Sequence, residues 1–350
     1  MKAESIRLAY FLFFFLELGW ESLIGFLNVR HTRKSAAAVP PGFAAVVDAE
    51  SWARAAAYNV EKGRFSLVSG LASSFIVLAA LFSGGLGELS GFFVSLPLHP
   101  YIRGILFVYA AGLFFSLTAL PFSLYSQFVI EERYGFNKMT PSLFFLDTVK
   151  SLALFAVLGA PLLGALFWFM DAAGSSWWLI AFAFTALFQI FITLLYPLAI
   201  APLFNTFTPL EEGPLKERIT TLAAELSFNI KGIFVMDGSR RTRHSNAYFT
   251  GLGAVKRVVL FDTLTQSLEA EELAAVLAHE IGHEKKKHLY KRLALNLILL
   301  LGFFCAVHIL YRYEPLFAAF RFPAVTPEGI LVILSFCSGP LTFFLTPLFT

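Results

Sequence analysis

No Asp, Glu, Lys or Arg interrupts Ser151 to Met170, Ala172 to Leu210, Leu293 to Tyr311 or Ile330 to Thr350. Each is long enough to cross a hydrocarbon core, which takes roughly 20 helical residues. Three further candidates, Leu8 to Val29, which carries Glu17 and Glu21, and the uncharged runs at about Phe65 to Gly84 and about Gly104 to Phe128, bring the expected number of membrane-spanning helices to seven. Composition agrees: 57% of the residues are hydrophobic, 15% are charged, and 41 are Phe. Such usage lies far from that of soluble domains and makes this an integral membrane protein embedded in a lipid bilayer. The first run carries Glu17 and Glu21 and lacks a small-residue cleavage site, so it reads as a retained helix rather than a signal peptide.

Cytoplasmic loops retain Lys and Arg, and this sets orientation. With seven spans and the N-terminus outside, Arg30, Arg33, Lys34, Arg54, Lys62, Arg64, Arg133, Lys138 and Lys150 fall on the inner side, against Lys2, Arg7, Arg103, Arg312 and Arg321 on the outer. The long polar segment between the fifth and sixth spans is then cytoplasmic. The net charge of +3 is spread over loops facing a membrane and points to no nucleic-acid partner. The two cysteines, Cys305 and Cys337, both lie inside apolar runs, where packing is their ordinary role. The segment from Arg30 to Arg64 reads as a loop whose amphipathic end, with Trp52, Tyr58 and Phe65, rests on the membrane surface.

The polar segment has mixed periodicity. Pro214 to Leu226 reads as a helix, Gly232 to Met236 as a strand, Asp237 to His244 as a basic turn, and Asn246 to Thr250 and Arg257 to Phe261 as strands. A last helix begins near Glu269, with Glu269, Glu271 and Glu272 suited to the positive end of its dipole.

That helix carries His279-Glu-Ile-Gly-His283. Four residues of helix turn through about 400°, so the two imidazoles emerge about 40° apart on one face and can share one metal ion. Glu280, between them in sequence, is placed to take a proton from the attacking water without being a ligand. Zinc lowers the pKa of water to about 7 and polarises a scissile carbonyl, so the expected chemistry is peptide hydrolysis with Zn2+ as cofactor. Upstream, Asn246, Ala247, Tyr248 and Phe249 have the character of an edge strand, which could bind a substrate backbone as an added strand. His244 reads as a surface or capping residue. Asp147 and Lys150 read as an interfacial ion pair, and Glu17 and Glu21, at i, i+4, as facing protein interior or a water-filled chamber.

Over nearly its whole length the chain resembles the integral-membrane CAAX prenyl proteases of the type I, zinc-dependent kind. The resemblance is carried by Glu132-Arg-Tyr-Gly-Phe-Asn-Lys-Met-Thr140 with Asp147 and Lys150, by Pro202 to Leu210, by Arg243-His-Ser-Asn-Ala-Tyr-Phe249, by Lys256 to Leu264 and by the residues around His279. It implies seven helices around a large intramembrane chamber, a zinc site facing that chamber from the cytosolic side, and protein or peptide substrates cleaved near a prenylated C-terminus. A protease for damaged membrane proteins would use the same chemistry; a transporter or channel is the alternative from another class.

The expected fold is a polytopic α-helical membrane protein with an inserted zincin-like α/β catalytic domain. Its parts are a membrane region with five spans over residues 1-204, a cytosol-facing zinc metallopeptidase domain over 205-291, and a membrane region with spans six and seven over 292-350. A catalytic zinc of this type takes three protein ligands and one open position. The resemblance implies a third ligand, a glutamate after the seventh span, in a Glu-rich segment that this sequence does not contain. The sequence-based expectation is a chain truncated at its C-terminus, with the third ligand beyond residue 350 and weak zinc binding as a result. His288, five residues past His283, would point about 140° away on a continuous helix and is a poor substitute; His308 lies within the sixth span.

Overall fold

The computed structural model describes residues 2–250 and 256–342, apart from the side chains of residues 284, 341 and 342. In chain order it runs through α1 (Ala3–Ser35), α2 (Ala49–Phe82), α3 (Gly85–Ser95), α4 (Pro100–Tyr125), a π turn (Ser126–Ile130), α5 (Glu131–Arg133), α6 (Pro141–Ala172), α7 (Trp177–Leu195), a second π turn (Tyr196–Ile200) and α8 (Ala201–Phe204). There follow β1 (Phe207–Pro209), α9 (Pro214–Glu225), β2 (Gly232–Met236), β3 (Ala247–Thr250), β4 (Arg257–Phe261), α10 (Asp262–Ser267), α11 (Ala270–Lys285), α12 (His288–Leu310), α13 (Glu314–Ala319) and α14 (Pro327–Thr342).

Among the described residues, six helical stretches are long and apolar enough to cross a membrane: Ala3–Ser35, Ala49–Phe82, Pro100–Arg133, Pro141–Ala172, Gly174–Phe204 and His288–Leu310. The seventh expected span is represented by the shorter α14, and its remainder lies outside the described residues. Leu8, Leu12, Phe15, Leu16 and Trp20 on α1 are all exposed, as a lipid-facing helix requires.

One correction concerns the stretch from Arg30 to Arg64. It is not a loop with a surface-lying end, because α1 continues to Ser35 and α2 starts at Ala49. Asp48 caps α2 by accepting the Ser51 N–H at 2.8 Å, so Trp52, Tyr58 and Phe65 ride on a continuous helix.

The chain forms two compact units, Met1–Tyr134 with Leu163–Trp178 and Phe303–Thr350, and Gly135–Leu162 with Leu179–Gly302. In the first, Tyr10 and Phe11 of α1 gather Phe82 of α2 and Phe320, with Tyr10 5.4 Å from Phe320 edge-on and Phe11 4.5 Å from Phe82 in a stack. Such pairs add to the area that they bury. Gly87 of α3 must be glycine, because a Cβ there would collide with the carbonyl oxygen of Arg321. Glu131, buried directly after the first π turn, accepts from Tyr58 Oη at 2.7 Å and from Lys62 Nζ at 3.0 Å. The buried charge is thus paired and bonded, as its desolvation demands. Glu21 lines a groove between α1 and α2 together with Asn28, Asn59 and Ser66.

The second unit holds a four-stranded sheet in the order β1-β2-β4-β3. β2 and β4 run parallel, the other pairs antiparallel. Val258 and Leu260 of β4 alternate onto one face and meet Ile219 and Leu222 of α9 and Leu273, Ala274 and Leu277 of α11. Both helices cover that face because their apolar residues recur at helical spacing. Glu272 fastens the start of α11 by accepting the Glu269 N–H at 3.0 Å, one half of a capping box. Arg218 of α9 joins the two helices by donating from Nε to Glu271 at 2.8 Å.

Sequence periodicity matches α9, β2, β3, β4 and α11 closely. β1, three residues at the end of an apolar run, and the single-turn α10 carry too little pattern to be read in advance.

Candidate active site

The apolar stripe of α11, formed by Leu273, Ala274, Leu277 and Ile281, is buried, which turns His279 and His283 outward into exposed positions and leaves Glu280 half-buried. His279 Nε2 and His283 Nε2 lie 3.0 Å apart, their rings at 75° to each other. Two nitrogens at neighbouring corners of a tetrahedron with bonds of about 2.0–2.1 Å would be separated by about 3.3 Å. The pair therefore already fits two corners of a zinc site, and imidazole is a fitting donor for that ion. Among the described residues no group of three His, Cys, Asp or Glu side chains converges in this way. His308 stacks on Trp178 at 5.7 Å and lies 6.1 Å from Trp177.

His288 departs from the continuous-helix expectation. α11 ends at Lys285, Lys287 takes a left-handed backbone with φ 57°, and α12 begins at His288. The break brings His288 Nδ1 to 2.9 Å from His283 Nδ1.

β3 lies at the sheet edge and packs against α11. Its side chains are committed. Ala247 and Phe249 join the core beneath α11, while Tyr248 faces the other side, where its hydroxyl lies 3.9 Å from Met236 Sδ. Burial, with the Tyr196 phenol adding repulsion, pushes the Tyr248 phenol up to about 12. What faces away from the sheet at this edge is backbone. Because the Phe261 N–H donates to Asn246 O, the bonded pairs recur at Tyr248 with Val259 and at Thr250 with Arg257. The N–H and C=O of Ala247 and Phe249 then point away from β4, and Asn246 Oδ1 accepts the Ala247 N–H at 2.9 Å.

The basic turn ahead of β3 is held from several sides. Arg241 donates from Nε to Asp147 Oδ2 at 2.9 Å and from Nη1 to Asn205 Oδ1 at 3.0 Å, and Nη2 reaches the carbonyl of Phe204. Asp147 accordingly pairs with Arg241 and not with Lys150, which donates instead to the Leu203 carbonyl at 2.8 Å. Asn137 bridges to Thr242, and His244 stacks on Phe136 at 4.3 Å. Asp262 accepts the N–H groups of Ser239 and Thr263, each at 2.8 Å. Sequence reasoning missed Arg241 as the anchor, although Asp147, Phe204 and Asn205 all lie in stretches that carried the family resemblance.

Comparison with known proteins bears on this arrangement. Residues 28–206 match the family model of the CAAX prenyl protease N-terminal region, described as five membrane helices, and residues 209–349 match that of peptidase family M48. The human CAAX prenyl protease 1 homolog is 33% identical over 94% of this chain and 80% of its own length. CAAX prenyl protease 1 of Saccharomyces cerevisiae is 40% identical over 62% of this chain and 51% of its own length. The crystal structure of S. mikatae Ste24p superposes with a TM-score of 0.87 at 32% identity, covering 98% of this chain and 82% of that one. The chain belongs to peptidase family M48, joined to the five-helix membrane region of CAAX prenyl proteases, and is an integral-membrane metalloendopeptidase.

Proposed function

We propose that this protein is a zinc endopeptidase that cleaves near the C-terminus of prenylated CAAX proteins, with its catalytic domain on the cytoplasmic side of the membrane. The three-part division into residues 1-204, 205-291 and 292-350 belongs to the same reading. The observation that carries it is the 3.0 Å convergence of His279 Nε2 and His283 Nε2 on a helix that also bears Glu280. Similarity to proteins named as CAAX prenyl proteases supports the substrate class, and the distribution of Lys and Arg over the short loops supports the orientation.

In this reading His279 and His283 would hold the zinc ion. When bound, zinc polarises a carbonyl and acidifies water, the chemistry that peptide hydrolysis needs at neutral pH. The Glu280 carboxylate takes the proton from the attacking water and hands it to the leaving amine nitrogen, acting first as base and then as acid. The substrate lies along β3 as an added strand, bonded to the outward backbone groups of Ala247 and Phe249, with Asn246 beside them. Tyr248, turned to the opposite face of the sheet, supports the strand from behind.

The test compares a farnesylated CAAX peptide with the same peptide lacking its prenyl group, and with an unfolded membrane-protein substrate, using the purified chain and its Glu280→Gln variant. Preferential, Glu280-dependent cleavage of the farnesylated peptide is the expected result. Equal cleavage of all three would replace the prenyl-specific reading with a general membrane-protein protease.

A further inference from the structure

The break between α11 and α12 gives His283 two imidazole neighbours on opposite edges of its ring. Nε2 faces His279 Nε2 at 3.0 Å, and Nδ1 faces His288 Nδ1 at 2.9 Å. A neutral imidazole has one N–H and one lone pair, and the bond made by one nitrogen decides what the other offers. If His288 Nδ1 accepts, the hydrogen on His283 sits on Nδ1, and Nε2 presents its lone pair toward His279. If the roles are reversed, the hydrogen sits on Nε2, and His283 cannot ligate through the nitrogen that faces its partner.

We infer that His288 is a positioning residue for the metal, whose Nδ1 accepts the Nδ1–H of His283 and so fixes both the tautomer and the ring orientation of that ligand. The inference rests on the proposal that His283 binds zinc. His288 is not itself a ligand, because the Nδ1 that approaches His283 meets the edge of the ring away from His279. Metal-bound imidazoles commonly donate their second N–H to an acceptor that holds them in place, and loss of that acceptor commonly costs 10–100-fold in metal affinity. The left-handed Lys287 is the device that supplies one here. A regular α-helical continuation from His283 would carry residue 288 about 140° around the axis, out of reach.

The experiment measures Zn2+ affinity of the purified full chain by competition with a chromogenic chelator, together with the Co2+ absorption spectrum and the thermal midpoint of the metal-free protein. The variants are His288→Ala, His288→Gln and His283→Ala. His288→Ala should weaken Zn2+ binding by about 10–100-fold and alter the Co2+ spectrum while leaving the metal-free midpoint near that of the parent. His288→Gln, whose side-chain carbonyl can accept the same hydrogen bond, should recover most of that affinity. Wild-type affinity in His288→Ala, alongside lost binding in His283→Ala, would overturn the positioning role and leave the metal site standing. Undiminished binding in His283→Ala would remove both. Loss in His288→Ala as complete as in His283→Ala, with no recovery in His288→Gln, would make His288 a ligand and overturn the inference in the other direction.

Discussion

Arg241 closes on Asp147 with two nitrogens, Nε at 2.9 Å and Nη2 at 2.8 Å, across 94 residues of sequence. Both side chains are largely buried, at 17% and 15% exposure, so either charge left alone would be poorly solvated. Removing one partner of a buried pair costs about 3–5 kcal/mol. Arg241→Ala should therefore lower the thermal midpoint of the detergent-solubilised protein markedly. Arg241→Lys should recover little, because an ammonium cannot serve Asp147, Asn205 and the Phe204 carbonyl together.

Glu280→Gln keeps the size and the half-buried position of the side chain while removing its capacity to accept a proton. Peptide cleavage should fall by at least about 10²–10⁴-fold, with Zn2+ content and thermal midpoint unchanged. Parallel metal analysis and melting of the two proteins check this, and residual activity above a tenth of the parent would remove Glu280 as the base.

The edge of β3 makes a separate prediction. Ala247→Pro removes a backbone N–H that points away from β4, so the ladder to β4 loses no bond, and proline is tolerated at such positions. Substrate KM should rise with the melting temperature nearly preserved. An unchanged KM in a folded variant would show that the substrate does not use this edge.

The Arg218 guanidinium holds the Glu271 carboxyl below the usual carboxylate range, chiefly through the hydrogen bond between them. A depressed folded-state pKa contributes stability that is present above the unfolded value and is lost as pH falls through the folded one. The difference in melting temperature between the parent and Glu271→Gln should be small at pH 7, since the pair is exposed, and should vanish as the medium is acidified below the carboxylate range. A difference that persisted there would mean that the hydrogen bond matters independently of charge.

Gly87→Ala pushes a methyl into the backbone of Arg321, and the cost of such overpacking is typically about 1–3 kcal/mol. A lowered melting temperature with unaltered Zn2+ affinity is the expected outcome.

Much of this architecture can be read from residues in sequence because local pattern decides it. The buried stripe of α11 orients His279 and His283 through helical spacing alone, and the short apolar, β-branched run Val258 to Phe261 marks a strand. Asp147 shows where that reading ends. Its nearest cation in sequence is Lys150, yet its partner comes from a distant turn, and no periodicity reports such a pairing. Lys287 is a second case. Lysine carries no turn signal, so its left-handed backbone, and with it the approach of His288 to His283, is set by tertiary context. The outward-facing backbone of Ala247 and Phe249 is intermediate: the strand is legible, but which of its groups face outward depends on register with β4.

The two π turns have a consequence for how these spans tolerate change. Each fits one extra residue into its turn, so the helix beyond it is out of phase by about 100° with the helix before it. Glu131 follows directly after Ser126–Ile130 and meets Tyr58 and Lys62 in that shifted phase. Deleting a single codon within 126–130 would remove the residue that the π turn accommodates and leave an uninterrupted α-helix with the carboxylate still turned toward both partners, whereas inserting one would swing it away by about 100°. Tyr196–Ile200 stands in the same relation to Asn205, whose side chain meets Arg241. Single-residue deletions at these turns should thus be better tolerated than single-residue insertions, because a deletion takes out the residue that the turn absorbs, while an insertion resets the rotational phase of everything that follows on the helix.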